Sequence, residues 1–169
     1  GYTPVVVTRT GGPDAPGNLL RRVDVTGPRT ITVEGPDAHG RKLFIGIPYE
    51  SSYTFSTFAI REGDSKGNAV TTGRLQLRRL TLNCSNTGFL HMYVTPKFRP
   101  TSTYTFTGRE LGHGTNIIGA IPLYTGTINF PILSLNTQVE VKVGSDSFLP
   151  FALVNASWEG FYNTRNARV

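Results

Sequence analysis

The residues able to do chemistry in this chain are few, and their spacing restricts what they could do. His39, His91 and His113 stand far apart, with no neighbouring carboxylate in an H-E-x-x-H or comparable arrangement, so the clustered ligands of a metal site are missing. His113, between Gly112 and Gly114, could serve as an acid or base on a loop, but no carboxylate or nucleophile accompanies it in sequence. Glu34, Glu50, Glu62, Glu110, Glu140 and Glu159 are scattered, and folding could bring any two to the separation of a glycosidase pair. Glu159 is the most suggestive, because a Trp-Glu pair such as Trp158-Glu159 can line a sugar site. A Trp ending a core strand, with its neighbouring carboxylate paired to an arginine, is the commoner arrangement.

Other motifs are weaker. Cys84 is the single cysteine, which excludes an internal disulfide and a multi-thiolate centre, fits a reducing compartment, and reads best as a small buried hydrophobe. The segment from Gly112 to Gly119 is glycine-rich, yet it has neither G-x-G-x-x-G spacing nor G-K-[ST], and no helix pattern follows to present amides to an anion. A tight connection between strands explains it better. Asn83-Cys84-Ser85 and Asn155-Ala156-Ser157 match the glycosylation triplet, but the start at Gly1 has no signal-peptide pattern. No catalytic, cofactor-binding or metal-binding residue is therefore assigned.

Charge says more than chemistry. The chain carries +6 with a pI near 9.8, and every charged residue from Lys66 through Arg109 is basic. On an alternating strand Arg74, Gln76 and Arg78 share one face, a stripe that could meet phosphates or acidic neighbours. Tyr93, Phe98 and Tyr104 lie nearby, but the spacing of a known nucleic-acid module is absent. A solvated strand face or an oligomer contact is the better reading of the stripe.

The elements that must position these side chains are strands. Val139-Glu140-Val141-Lys142-Val143 alternates apolar and polar residues; Leu43, Ile45, Ile47 and Tyr49 share one face, and Tyr53, Phe55 and Thr57 begin a second strand expected in the same sheet. Leu75 and Leu77 are in one phase and Leu80 and Leu82 in the other, which a β-bulge at Arg78-Arg79 repairs. Asn86-Thr87-Gly88 can take positive φ, predicting a hairpin with Phe89 to Val94 as the returning arm. Further strands are expected over Thr103 to Thr107, Ala120 to Phe130 and Phe151 to Gly160. An echo between Ser52-Tyr53-Thr54-Phe55-Ser56 and Thr103-Tyr104-Thr105-Phe106-Thr107 is spaced like a propeller repeat of about 50 residues, but is too short to define one.

At 169 residues, 38% hydrophobic and 11% aromatic, the chain can bury roughly 70% of its unfolded surface. Its 19 Gly, 11 Pro and 22 Thr favour strands and turns. No window holds a sustained helical period and none is apolar enough for a membrane helix. Glycine and proline punctuate residues 1–40 into an extended arm or linker with short strands, whereas 41–169 reads as one β domain. The expected fold is all-β, an antiparallel sandwich or open barrel with long loops. Its core should include Ile45, Ile47, Phe55, Leu75, Leu77, Val139, Val141, Val143, Leu153 and Trp158.

The run Gly73-Arg74-Leu75-Gln76-Leu77-Arg78-Arg79, then Asn86-Thr87-Gly88, Tyr124-Thr125-Gly126 and Phe130-Pro131, resembles the C-terminal part of the tail tubular protein B family, the tail nozzles of short-tailed bacteriophages (podoviruses). Ser145-Asp146, Pro150, Trp158-Glu159-Gly160-Phe161-Tyr162-Asn163 and the Arg-containing end continue the resemblance, which covers about Leu43 to Val169. It implies an excised or processed C-terminal piece of a larger, propeller-containing nozzle protein. It also implies a virion tail protein made in the host cytoplasm, a ring of six copies below an adaptor, tail fibres near the adaptor junction, and viral DNA passing transiently through. No catalysis, cofactor or membrane insertion is implied. In that setting Arg74, Arg78 and Arg79 would contact a neighbouring subunit or the adaptor, with a role facing the channel as the second reading. Two alternatives stand beside this: a glycan-binding or polysaccharide-degrading tail module using Glu159, and a basic nucleic-acid-binding domain using the three arginines.

Overall fold

A computed structural model describes residues 4–9, 17, 19–20, 23–28, 30–33, 40, 42–47, 49–61, 67–70, 72–109, 112, 114 and 120–164. Among these residues twelve strands run in chain order: β1 (Val5–Thr8), β2 (Leu19–Leu20), β3 (Val23–Gly27), β4 (Thr30–Val33), β5 (Leu43–Gly46), β6 (Ser51–Thr54), β7 (Gly73–Thr87), β8 (Phe89–Pro96), β9 (Ser102–Thr107), β10 (Tyr124–Leu135), β11 (Val139–Ser145) and β12 (Leu153–Thr164). A 3-10 turn, Asn136–Gln138, joins β10 to β11. Among the described residues every strand pairing is antiparallel and no sheet closes into a barrel. Among the described residues no helix is long and apolar enough to cross a membrane.

The centre is a two-layer sandwich. A three-stranded sheet, β10-β7-β12, lays one face against a four-stranded sheet, β6-β11-β8-β9. Leu75, Leu77, Leu80, Leu82 and Cys84 from β7 meet Leu90, Met92 and Val94 from β8 and Val141 and Val143 from β11, with Phe130 and Ile132 from β10 alongside. Fully burying each large aliphatic side chain contributes about 1.5–3 kcal/mol, so this interior is the main source of stability. Phe55, Val139, Leu153 and Trp158 pack half-buried around its margin. Pro131 is tolerated within β10 because that strand is an edge, where a missing donor breaks no inner ladder.

Three sequence expectations are corrected. Asn86-Thr87-Gly88 is a corner between sheets rather than a hairpin turn: β7 pairs with β10 and β12, whereas β8 pairs with β9 and β11. Asn86 does take positive φ, 46°. The corner is held from outside, by Gly88 N donating to Pro150 O at 2.8 Å and by Thr87 Oγ1, which accepts from Ala152 N at 3.2 Å. Second, β5 and β6 belong to different sheets, β5 pairing with β1 and β6 with β11. Third, Ile45 and Ile47 are 58% and 61% exposed and lie outside the sandwich core, because the apolar face of β5 borders an open cleft. Alternation identifies an apolar face; it does not say what covers it.

The echoing segments 52–56 and 103–107 contribute β6 and β9, the two edges of the four-stranded sheet. Their likeness therefore reflects edge-strand composition within one sheet.

Candidate interaction surface

The bulge foreseen at Arg78-Arg79 exists and organises the outer face of the β10-β7-β12 sheet. Arg79 pairs with Glu159 and Leu77 with Gly160, so β7 carries Arg78 as an extra residue against β12. At the same level Arg79 pairs with Pro131 and Leu77 with Ser134, leaving one more residue on β10 than on β7. Both slips let Leu77 and Leu80 face the core while Arg78 and Arg79 both face solvent. On β10 the slip is accommodated by Leu133, a non-glycine residue at φ 52° and 64% exposed.

Arg79 Nε donates to Glu159 Oε2 at 2.7 Å, and an Arg78 terminal nitrogen lies 3.6 Å from Glu159 Oε1. The Arg78 guanidinium also sits 5.9 Å from the ring centre of exposed Phe161. Arg74 and Gln76 follow on the same exposed face, as the alternation predicts, and Arg74 has no ion-pair partner among the described residues. Beside the bulge, Arg78, Arg79, Asn129, Phe130, Pro131 and Leu133 line an open hollow of about 250 Å³.

Above the bulge the same face changes character. Thr127 Oγ1 donates to Asn83 Oδ1 at 2.6 Å, Asn83 Nδ2 donates to Asn155 Oδ1 at 2.5 Å, and Thr81 Oγ1 donates to Asn129 Oδ1 at 2.7 Å. These cross-strand bonds tie the three strands together with uncharged groups, so the charge is confined to the lower half.

The other candidates separate. Glu159 is held between two guanidiniums on an open sheet face, and Trp158 turns inward, 6.1 Å from Phe58. The pair thus takes the ordinary core-and-ion-pair form. His91 lies on the outer face of the opposite sheet, with Nδ1 3.0 Å from Thr105 Oγ1 and Nε2 3.5 Å from Asp146 Oδ1, between the rings of Phe89 and Tyr93. Cys84 is buried; desolvation pushes its thiol pKa up, and a hydrogen bond with Thr87 opposes that in part. His39, His113, Glu34, Glu62 and Glu110 lie outside the described residues. No cluster of three metal-ligating side chains occurs among the described residues.

Comparison with known proteins gives this strand face a context. The profile of the bacteriophage nozzle protein family matches residues 3–169. This chain belongs to the bacteriophage nozzle protein family. It is also 33% identical over 132 residues to tail tubular protein gp12 of Escherichia phage T7, an alignment covering 77% of this chain and 16% of that protein. The chain therefore spans less than a fifth of the length of that relative.

Nozzle-family membership makes the chain a structural component of a phage tail, made in the host cytoplasm. The family match begins at residue 3 and so reaches upstream of the resemblance read from the sequence, which starts near Leu43. On this face the sequence pointed to the three arginines but not to Phe161 and Leu133. Phe161 shares its face with Gln76 only through the slip beside Gly160, and Leu133 is exposed only because β10 slips too. The phase break between Leu77 and Leu80 was the available signal, but it locates a bulge on one strand and not its partners.

Proposed function

We propose that the chain forms part of a ring of identical subunits, six by the family resemblance, at the end of a short phage tail, enclosing the channel through which the genome leaves. The observation that carries this reading is the nozzle-family match across almost the whole chain. The architecture suits it: two packed sheets make a stiff wall element, with a 15-residue strand between two 12-residue neighbours and broad outer faces free for contact. Arg74, Arg78 and Arg79 supply a contact to a neighbouring subunit or to the adaptor, with tail fibres attaching near the adaptor junction. DNA passes only transiently. A channel lining with many guanidiniums would hold phosphates and slow the passage, which favours an interface role for the arginines. The chain acts without catalysis, cofactor or insertion of its own into a membrane.

Electron cryomicroscopy of tails from purified virions tests this. The expected result is density for the sandwich repeated around the channel at the tail's end. Tails whose channel wall has no density for this fold would overturn it. Incubation with host capsule should release no reducing ends, and turnover abolished by Glu159→Gln would remove the non-catalytic reading.

A further inference from the structure

The two outer faces of the sandwich carry opposite charge. On the β10-β7-β12 face, Arg74, Arg78 and Arg79 stand, among the described residues, against the carboxylate of Glu159. On the β6-β11-β8-β9 face, among the described residues along β11 and its flanks, Glu50, Glu140 and Asp146 stand against Lys142, with His91 beside Asp146, while Lys97 and Arg109 lie just past the ends of β8 and β9. Strand pairing puts these groups on one side. Glu140 is opposite Thr95, Lys142 is opposite Tyr93 and Thr54, and Gly144 is opposite His91.

Much of this charge is uncommitted. Among the described residues neither Arg74 nor Glu140 has an ion-pair partner, and both are exposed. The Glu50–Lys142 and Asp146–His91 contacts are 3.7 and 3.5 Å long, with carboxylates 68% and 67% exposed, so they offer little resistance to a new partner. The rows also match in extent. Arg74 to Arg79 spans about 16 Å along β7, and Glu140 to Asp146 about 20 Å along β11 and just past its end, at about 3.3 Å per strand residue.

We propose that the arginine face of one copy docks on the carboxylate face of a second copy, pairing Arg74, Arg78 and Arg79 with Glu140, Asp146 and Glu50. This rests on the nozzle reading above and commits its subunit-or-adaptor surface to a second copy of this chain. The contact uses two different patches on opposite sides of each molecule. It is heterologous, so it adds copies in one direction and closes into a ring when the rotation allows. Arg79 keeps its bond to Glu159 and acts as a positioned charge, while Arg74 supplies the free cation.

Sedimentation of the 169-residue chain tests this with charge reversals. Wild-type chain should associate at low salt, and the associated species should disappear as salt shortens the Debye length to a few ångströms. Arg74→Glu and Glu140→Arg should each be monomeric, with unchanged unfolding midpoints. Their equimolar mixture should recover the associated species, because every junction in an alternating assembly is again opposite in sign. Should either variant fail to fold, Arg78→Glu and Asp146→Lys take its place.

A wild-type chain that stays monomeric at low salt would overturn the proposal. So would single variants that associate like wild type, or a mixture that fails to recover. These outcomes leave the tail location untouched, since that is read from virion density and not from this contact.

Discussion

Arg79 Nε lies 2.7 Å from Glu159 Oε2 across β7 and β12, at the last paired position before their register slips by one residue. The ion pair marks the bulge; the bulge is what matters energetically. Both side chains are about half exposed, so the pair contributes about 0.2–1 kcal/mol. Glu159→Gln should therefore lower stability by less than about 1 kcal/mol in a urea titration.

Deleting Arg78 should be far more damaging. Without the extra residue, Leu75 and Leu77 would leave the phase of Leu80 and Leu82, and one pair would turn to solvent. Exposing two core leucines removes about 3–6 kcal/mol. The deletion should abolish the cooperative unfolding transition, whereas Arg78→Ala should keep it.

Gly160 completes the slip from the other side. A Cβ there would lie 2.6 Å from Gln76 O, a backbone atom that cannot move aside alone. Gly160→Ala should cost about 1–3 kcal/mol, as overpacking does. Gly46→Ala, with nothing within 4 Å of the added carbon, is the control and should leave the urea midpoint nearly unchanged.

Leu133 holds a left-handed backbone at φ 52° with its side chain in solvent. A non-glycine residue is strained there by roughly 1–2 kcal/mol. Leu133→Gly should raise the thermal midpoint or leave it unchanged, the reverse of the usual effect of glycine in a strand.

Cys84 gives a pH signature. Burial raises its thiol pKa in the folded state, so folding favours the protonated form. That contribution is fully present below the ordinary thiol value, about 8.5, and is lost as pH rises through the higher folded value. Wild-type stability should fall more steeply above that range than that of Cys84→Ala. A thiol reagent should label the folded protein slowly and the urea-unfolded protein quickly.

Trp158 reached the margin of the core rather than its centre, packed near Phe58 and half-buried.

Local pattern determined a good deal of this protein. Strand periodicity in β7 and β11 named Leu75, Leu77, Val141 and Val143 as core, and the phase break predicted the bulge, because a side chain's face is set by its own backbone position. The arginine stripe followed from the same rule. What lay beyond local pattern was partnership. A positive-φ residue before glycine reads alike in a hairpin and in a corner, and only the docking of residues 149–152 on Thr87 and Gly88 sends β8 into the other sheet. Ile45 and Ile47 form a genuine apolar face, yet burial depends on what packs against it, and here β5 joins β1 beside a cleft. Opposed charge on the two outer faces was equally hidden. Glu140 and Asp146 share one side of β11 by alternation, but Glu50 is far from them along the chain, and only the antiparallel pairing of β6 and β11 brings it to that side of the sandwich.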